Sequence, residues 1–350
     1  MAADSVAPYD MTGQSFPRSN VTAIVFTAVS VAITILWQAF PTAIPFHRWD
    51  MPTFFVCCGV VLLSCSRFHG RHAIPMPEFW LIAFPFVFGY CFETLFPTTK
   101  LASVDELLWR FDAAFGYPQP GLARLLISSP LLFWTCRWIW WSLPCLLVVQ
   151  YLALPDFIRR KFLATFVGLG CIILPLYALC PGTGPIYLLR GSFLSAPVLL
   201  HPHSRFMPAG LPLNTTPSGH VTWVILLFWF SWVYCRKPAI VFFGLTGIGT
   251  VLATLGLGEH YVIDLVLSFP MAAGMLALVG KQWKRSGAMF TAVIIWLVAL
   301  REGWAIAIPV PLVWLLSGVT VLVASMSIIG HSFERAPVAP EPVGSSCLSR

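Results

Sequence analysis

Two short segments carry the side chains most able to do chemistry. Thr215-Thr216-Pro217-Ser218-Gly219-His220 is followed, forty residues after its histidine, by His260 in Gly258-Glu259-His260-Tyr261-Val262-Ile263-Asp264. His260 and Asp264 are four apart, a spacing that puts both on one helical face, where the carboxylate accepts the proton of one ring nitrogen and leaves the other exposed. Such a ring is a nucleophile. The positive end of a helix favours its neutral form, and Asp264 stabilises the cation that develops as the ring bonds to phosphorus. A second histidine must then protonate the leaving oxygen, and His220 is available for that. In the first segment Thr216 suits an N-cap and Pro217 the first helical position. Ser218 and Gly219 then fall in the first turn, where free backbone N–H groups, a hydroxyl and a residue without a side chain make a seat for phosphate. The plainer alternatives are a capped helix start with an interfacial histidine and a satisfied His-Asp pair in a core.

The elements that must position these groups are membrane helices. The 350 residues are 58% apolar and 10% charged, with a mean hydropathy of +0.81. That composition excludes a soluble, disordered, collagen-like or disulfide-scaffold chain, and the unbroken apolar runs do not alternate as an outer-membrane barrel requires. A span needs about 20 apolar residues. Candidate spans cover about 21–40, 52–66, 79–97, 131–152, 162–180, 220–235, 238–256, 260–280, 287–304 and 308–330, so the expectation is an all-α polytopic protein with about ten transmembrane helices. The first run lacks a small-residue cleavage site and reads as a retained span. With a cytoplasmic N-terminus, inner segments hold thirteen basic residues and outer ones seven, which places both termini inside. The net charge of +7 is explained by this topology and not by nucleic acid.

The expected organisation is a cytoplasmic segment over 1–20, N-terminal spans over 21–97, an outer-face amphipathic segment over 98–130, a catalytic core over 131–280, further spans over 281–330 and a disordered cytoplasmic tail over 331–350. Within 98–130, Leu101, Leu107, Leu108, Phe111 and Phe115 share a face, with Asp105 and Asp112 elsewhere. A helix lying on the membrane surface and a helix packed over the bundle both fit. Polar residues at membrane depth mark function because burying them is costly. Glu93, Arg137, His220, His260 and Asp264 all fall toward the outer leaflet on this topology. His201-x-His203 lacks further ligands for a metal. Trp134, Trp138, Trp140 and Trp141 read as an interfacial belt or bundle packing, and the ten cysteines, lying mostly in apolar runs, as small hydrophobes.

Pro217-Ser218-Gly219-His220 and His260-x-x-x-Asp264 resemble the second and third motifs of the type-2 phosphatidic acid phosphatase superfamily. The resemblance covers mainly 177–280. It implies a six-helix phosphatase-like core and catalysis without metal or cofactor. In it His260 forms a phosphohistidine, Asp264 orients His260, His220 is the general acid, and Ser218 and Gly219 hold the phosphate. The family's first motif, a lysine seven residues before Arg-Pro, is absent, and Thr254 stands where the third motif has arginine. Arg190, Arg205 and Arg137 are the candidate replacements. Tyr177 to Tyr187, with its Cys180-Pro181-Gly182-Thr183-Gly184-Pro185 core, and the two aspartates of Leu101 to Gly116 are similar to the branch containing fungal inositol phosphorylceramide synthase. That implies transfer of a phosphorylated head group, such as inositol phosphate, between a lipid and an alcohol at the outer face, or hydrolysis of a lipid phosphate or pyrophosphate if water is the acceptor. The implied partners are a lipid phosphate or phospholipid, an alcohol acceptor or water, and the bilayer. A proton-coupled transporter is the rival of a different class; it would show matched interruptions in two inverted halves, which this sequence lacks.

Overall fold

The computed structural model describes residues 103–189, 193–194 and 213–331. These form ten α-helices: α1 (Asp105–Asp112), α2 (Pro118–Ser128), α3 (Pro130–Ala153), α4 (Asp156–Leu179), α5 (Pro185–Leu189), α6 (Gly219–Tyr234), α7 (Lys237–Gly256), α8 (Val262–Val279), α9 (Trp283–Arg301) and α10 (Val310–Ile329). Two short 3-10 turns, Ala113–Phe115 and Trp304–Ala307, complete the set, and no strand occurs among the described residues. Proline opens α2, α3, α7 and α10, at positions whose N–H would have no partner inside the helix. Ser129 caps α3 by accepting a hydrogen bond from the Leu132 N–H.

Five of the helices, α4, α7, α8, α9 and α10, are long and apolar enough to cross a membrane, so the chain is an integral membrane protein. The expected count of ten spans is not reproduced. Its first three members lie outside the described residues. The expected span 220–235 is the 16-residue α6, shorter than a full crossing, and the expected span 131–152 corresponds to the 24-residue α3.

Helix α8 is the centre of the bundle. Of its most apolar 18-residue stretch 72% is buried, against 28% for α9 and for α10, so α8 is packed on nearly all sides and the last two helices keep a face for lipid. Its small residues permit close approach: a Cβ on Gly274 would stand 2.9 Å from the ring of Phe290 on α9. On α10, Leu315, Leu322 and Ile329 are exposed, an arrangement suited to hydrocarbon and not to water. Of the described cysteines, Cys136 and Cys180 are buried and Cys171 is exposed.

The amphipathic α1 is packed over the bundle and does not lie open on a surface. Leu108, Trp109 and Phe111 are buried, and so are Asp105 and Asp112, which the amphipathic reading had placed away from the apolar face. Phe111 meets Trp296 of α9 edge to face, and Trp314 of α10 donates its indole N–H to the Ala114 carbonyl at 2.7 Å. The polar side of α1 is turned inward because backbone donors wait for it there.

Candidate active site

The end of α4, the start of α6, the end of α7 and the start of α8 meet at one end of the bundle. His260 lies in the connection between α7 and α8, just ahead of the N-cap Tyr261, so it precedes the helix instead of sharing its face with Asp264. The chain holds it there through Thr254, whose carbonyl accepts from the backbone N–H groups of Glu259 (3.1 Å) and His260 (3.2 Å). Asp264, three residues after the N-cap, closes a capping box by accepting from the Tyr261 N–H at 2.8 Å.

The proton of the His260 ring can be assigned from its neighbours. Nδ1 lies 2.9 Å from the Thr215 carbonyl oxygen and 3.2 Å from Asp264 Oδ2. A carbonyl can only accept, so Nδ1 carries the hydrogen. Nε2 is then an acceptor, 3.3 Å from the hydroxyl of Ser218, which donates to it. The ring is 4% exposed, and this burial pushes its pKa down to about 4 against the raising effect of the Thr215 carbonyl. At neutral pH His260 is therefore an uncharged imidazole with its lone pair on Nε2.

Asp264 also joins the two segments. Its Oδ1 accepts from the Thr216 hydroxyl at 2.6 Å, and its carbonyl accepts from the Ser218 N–H at 3.3 Å. Ser268 Oγ sits 3.0 Å from the Ser218 carbonyl and 2.8 Å from that of Asp264. The cap of α6 consequently differs from the expected one. Thr216 spends its hydroxyl on Asp264, the Thr216–Pro217 bond is cis, and Ser218 becomes the N-cap, its Oγ accepting from the Val221 N–H at 3.3 Å.

Gly219 is the first helical residue. A Cβ there would stand 3.1 Å from the Tyr177 hydroxyl, and the Gly219 backbone hydrogen-bonds that hydroxyl. Several first-turn donors expected to be open for phosphate are thus engaged within the protein. The His220 ring centroid is 6.3 Å from that of His260 and 4.6 Å from Trp140 of α3, with an angle of 31° between the planes of the latter pair. Arg137 is one turn before Trp140, its guanidinium carbon 5.9 Å from the Phe133 ring and 5.7 Å from Trp134. Arg190, Arg205, His201 and His203 lie outside the described residues. No cluster of three or more His, Cys, Asp or Glu placed to hold a metal occurs among the described residues.

A third loop knits the others together. Between α4 and α5, Pro181, Gly182 and Gly184 make backbone links in several directions: the Pro181 carbonyl accepts from Val104 N–H (2.8 Å), and that of Gly182 from Thr215 N–H (3.2 Å). The N–H groups of Thr183 and Gly184 and the Thr183 hydroxyl all donate to Asp105, at 2.8 to 3.0 Å, and the Tyr261 hydroxyl donates to the same carboxylate at 2.7 Å. Asp112, at the other end of α1, accepts from the Val262 N–H at 3.0 Å and from the Gln119 amide. Burial pushes both carboxyls above the usual carboxylate range, opposed by these hydrogen bonds. Two aspartates of α1 therefore pin the first turn of α8 and the residue beside His260.

Residues 106–278 match the family model of the PAP2 superfamily. The chain carries a PAP2 superfamily domain. This PAP2 domain starts inside α1 and ends in the last turn of α8, so it includes the whole site, while α9 and α10 follow it. Members of the superfamily are generally phosphatases, and the domain with its membrane helices fits a lipid phosphate in a bilayer. No curated protein and no solved structure matches the chain.

The segments singled out in the sequence thus meet, with His220, His260, Asp264, Ser218 and Gly219 brought together and Arg137 on a neighbouring helix. Sequence reasoning missed the parts played by Thr215, Thr216, Tyr177, Trp140 and Asp112. The Cys180 to Pro185 segment carried the one readable signal, two glycines flanking a threonine beside prolines. Gly184 has φ +106°, and a Cβ there would stand 2.6 Å from the Glu259 carbonyl oxygen. Gly184→Ala should therefore cost about 1–3 kcal/mol, read as a lowered unfolding midpoint, whereas alanine at Gly247, where a Cβ meets nothing within 4 Å, should not lower it.

Proposed function

We propose that this PAP2 domain is a membrane-embedded lipid phosphatase or phosphotransferase that works through a phosphohistidine on His260. The observation that carries the reading is the ring of His260, its Nδ1 proton committed to Thr215 and Asp264 and its Nε2 presented to Ser218, with the His220 ring centroid 6.3 Å from its own. In the first half-reaction Nε2 attacks phosphorus, the bond from phosphorus to the lipid oxygen breaks, and His220, having taken up a proton as the anionic phosphate binds beside it, gives that proton to the oxygen. In the second, water or an alcohol attacks phosphorus, His220 takes its proton, and the phosphorus–nitrogen bond breaks. Asp264 stabilises the imidazolium state of His260. Ser218 turns its hydroxyl from Nε2 to a phosphoryl oxygen, and Gly219 lets that oxygen approach. Arg137 supplies positive charge from α3, and Arg190 and Arg205 complete the set of candidate cations. Thr254 gives a carbonyl to the His260 loop where relatives would carry a guanidinium.

We place the site on the non-cytoplasmic side. The described basic clusters Arg159 to Lys161, Arg236 to Lys237 and Lys281 to Arg285 occupy the connections at the other end of the helices, and basic connections stay in the cytoplasm. Head-group transfer, with inositol phosphate as the first candidate, and plain hydrolysis differ only in the acceptor. The deciding experiment is purified protein in EDTA with a panel of lipid phosphates and phospholipids, with and without inositol and other alcohols. Free phosphate made by the wild type and lost in His260→Ala supports a hydrolase; acceptor-dependent lipid product without free phosphate supports a transferase. Neither activity on any substrate would overturn the reading in favour of transport.

Two further results are expected. Because burial holds the His260 pKa near 4, lowering the pH protonates the nucleophile only there, so kcat/KM should keep rising with pH through about 4 and show no limb from His260 near 6.5. Ser218→Ala removes the N-cap of α6 and the donor to phosphate together. It should lower stability by about 1 kcal/mol in thermal unfolding and reduce kcat/KM by about 10–100-fold.

A further inference from the structure

The strongest feature not used by this chemistry is a cavity of about 260 Å³ beside the site, lined by apolar side chains that include Ala123, Leu126, Phe133, Ile186, Phe193 and Leu194. It sits between α2, the start of α3, α5 and the end of α7. Three observations connect it to the reacting groups. Its wall at Gly256 and Leu257 runs directly into Gly258-Glu259-His260. Phe193 covers Gly258 so closely that a Cβ there would meet the ring at 2.5 Å, and Ile186 donates its N–H to the Gly258 carbonyl at 3.0 Å. On α3, Phe133, Arg137 and Trp140 follow one another at spacings of four and three, on a single face; the first lines the cavity, the second carries charge, and the third packs tilted against His220.

The mouth of the cavity is apolar as well. Ile127 is 55% and Leu194 43% exposed, and Leu131 and Trp134 stand exposed on the adjacent turn of α3. We propose that this cavity seats the alkyl chain of the phosphorylated substrate, with the anionic head directed along the α3 face past Arg137 to His220 and His260. This rests on the functional reading above and adds where the hydrophobic part of the substrate is held. The volume is below that of a pocket enclosing a whole small ligand, so it takes the part of one chain nearest the head group, and the rest lies in the bilayer.

The test uses the full-length protein in detergent and a homologous series of monoalkyl phosphates. In the wild type kcat/KM should rise about fourfold for each added methylene until the cavity is full, and then level off. Ile127→Trp, which narrows the mouth at an exposed position, should lower the ratio of kcat/KM for long over short chains by at least tenfold. Leu322→Trp on α10, equally exposed and remote, should leave that ratio unchanged. A ratio the same in Ile127→Trp as in the wild type overturns the proposal while leaving phosphate chemistry intact. A second arm does not depend on turnover: a diazirine-bearing alkyl phosphate should label the cavity residues, and the matching phosphate-free alcohol should not. Equal labelling by the alcohol means that the cavity takes an alkyl chain without regard to the phosphate, which also overturns the proposal. Labelling by the phosphate without any product would instead count against the phosphohistidine reading alone.

Discussion

Replacing His260 by alanine should lower kcat by at least about 10⁴-fold, because no other described side chain offers a buried, neutral ring nitrogen beside the Ser218 hydroxyl. The loss must be separated from unfolding. Removing the ring leaves the Thr215 carbonyl without its ring donor and takes one of several donors from Asp264, which keeps the Tyr261 N–H and the Thr216 hydroxyl; this costs about 1–3 kcal/mol, so the variant is compared with the wild type for size-exclusion profile and thermal midpoint in the same detergent. His220→Ala should cost about 10²–10⁴-fold, the usual worth of a general acid, and lose more against substrates with a poorer leaving group. That dependence distinguishes proton donation from packing against Trp140. Asp264→Asn should reduce turnover as well, since the amide N–H₂ must replace either the oxygen that accepts from the Thr216 hydroxyl or the one that accepts from the Tyr261 N–H, and the charge that steadies the imidazolium is lost.

The second large effect is expected on stability. Asp105→Ala strands the N–H groups of Thr183 and Gly184 and the hydroxyls of Thr183 and Tyr261 in a buried place, and should destabilise the fold by about 3–5 kcal/mol. The unfolding midpoint in detergent reads this directly. Asp105→Asn keeps the shape and removes the charge, so it should recover part of the loss but not all of it, because one end of the amide donates where only acceptors are useful. Equal stability of the alanine variant and the wild type would show that α1 does not anchor the loop between α4 and α5.

What could be read from the sequence follows physical reach. Hydropathy found each described long helix from α3 to α10 because burial in lipid is written residue by residue. The His260–Asp264 pairing was legible because it spans only four positions. It missed the cap of α6 by two residues, since Thr216 is drawn away by Asp264, forty-eight positions on. The inward turn of α1 was illegible for the same reason. An aspartate that caps another helix has the same local pattern as one facing solvent, and nothing near Asp112 in sequence announces Val262, one hundred and fifty positions later. Arg137 could be named as a cation in a span, but its place on one face with Phe133 and Trp140 gains meaning only when His220 is seen against Trp140.

The central claim is a covalent bond from phosphorus to His260. The most direct measurement is to mix the protein with a substrate carrying labelled phosphate, quench within the turnover time in base, and map the label by peptide. The account predicts acid-labile, base-stable label on the peptide containing His260, absent in His260→Ala and accumulating in His220→Ala when the leaving group needs no proton. Turnover with no label on that peptide, or label that persists in His260→Ala, would contradict it.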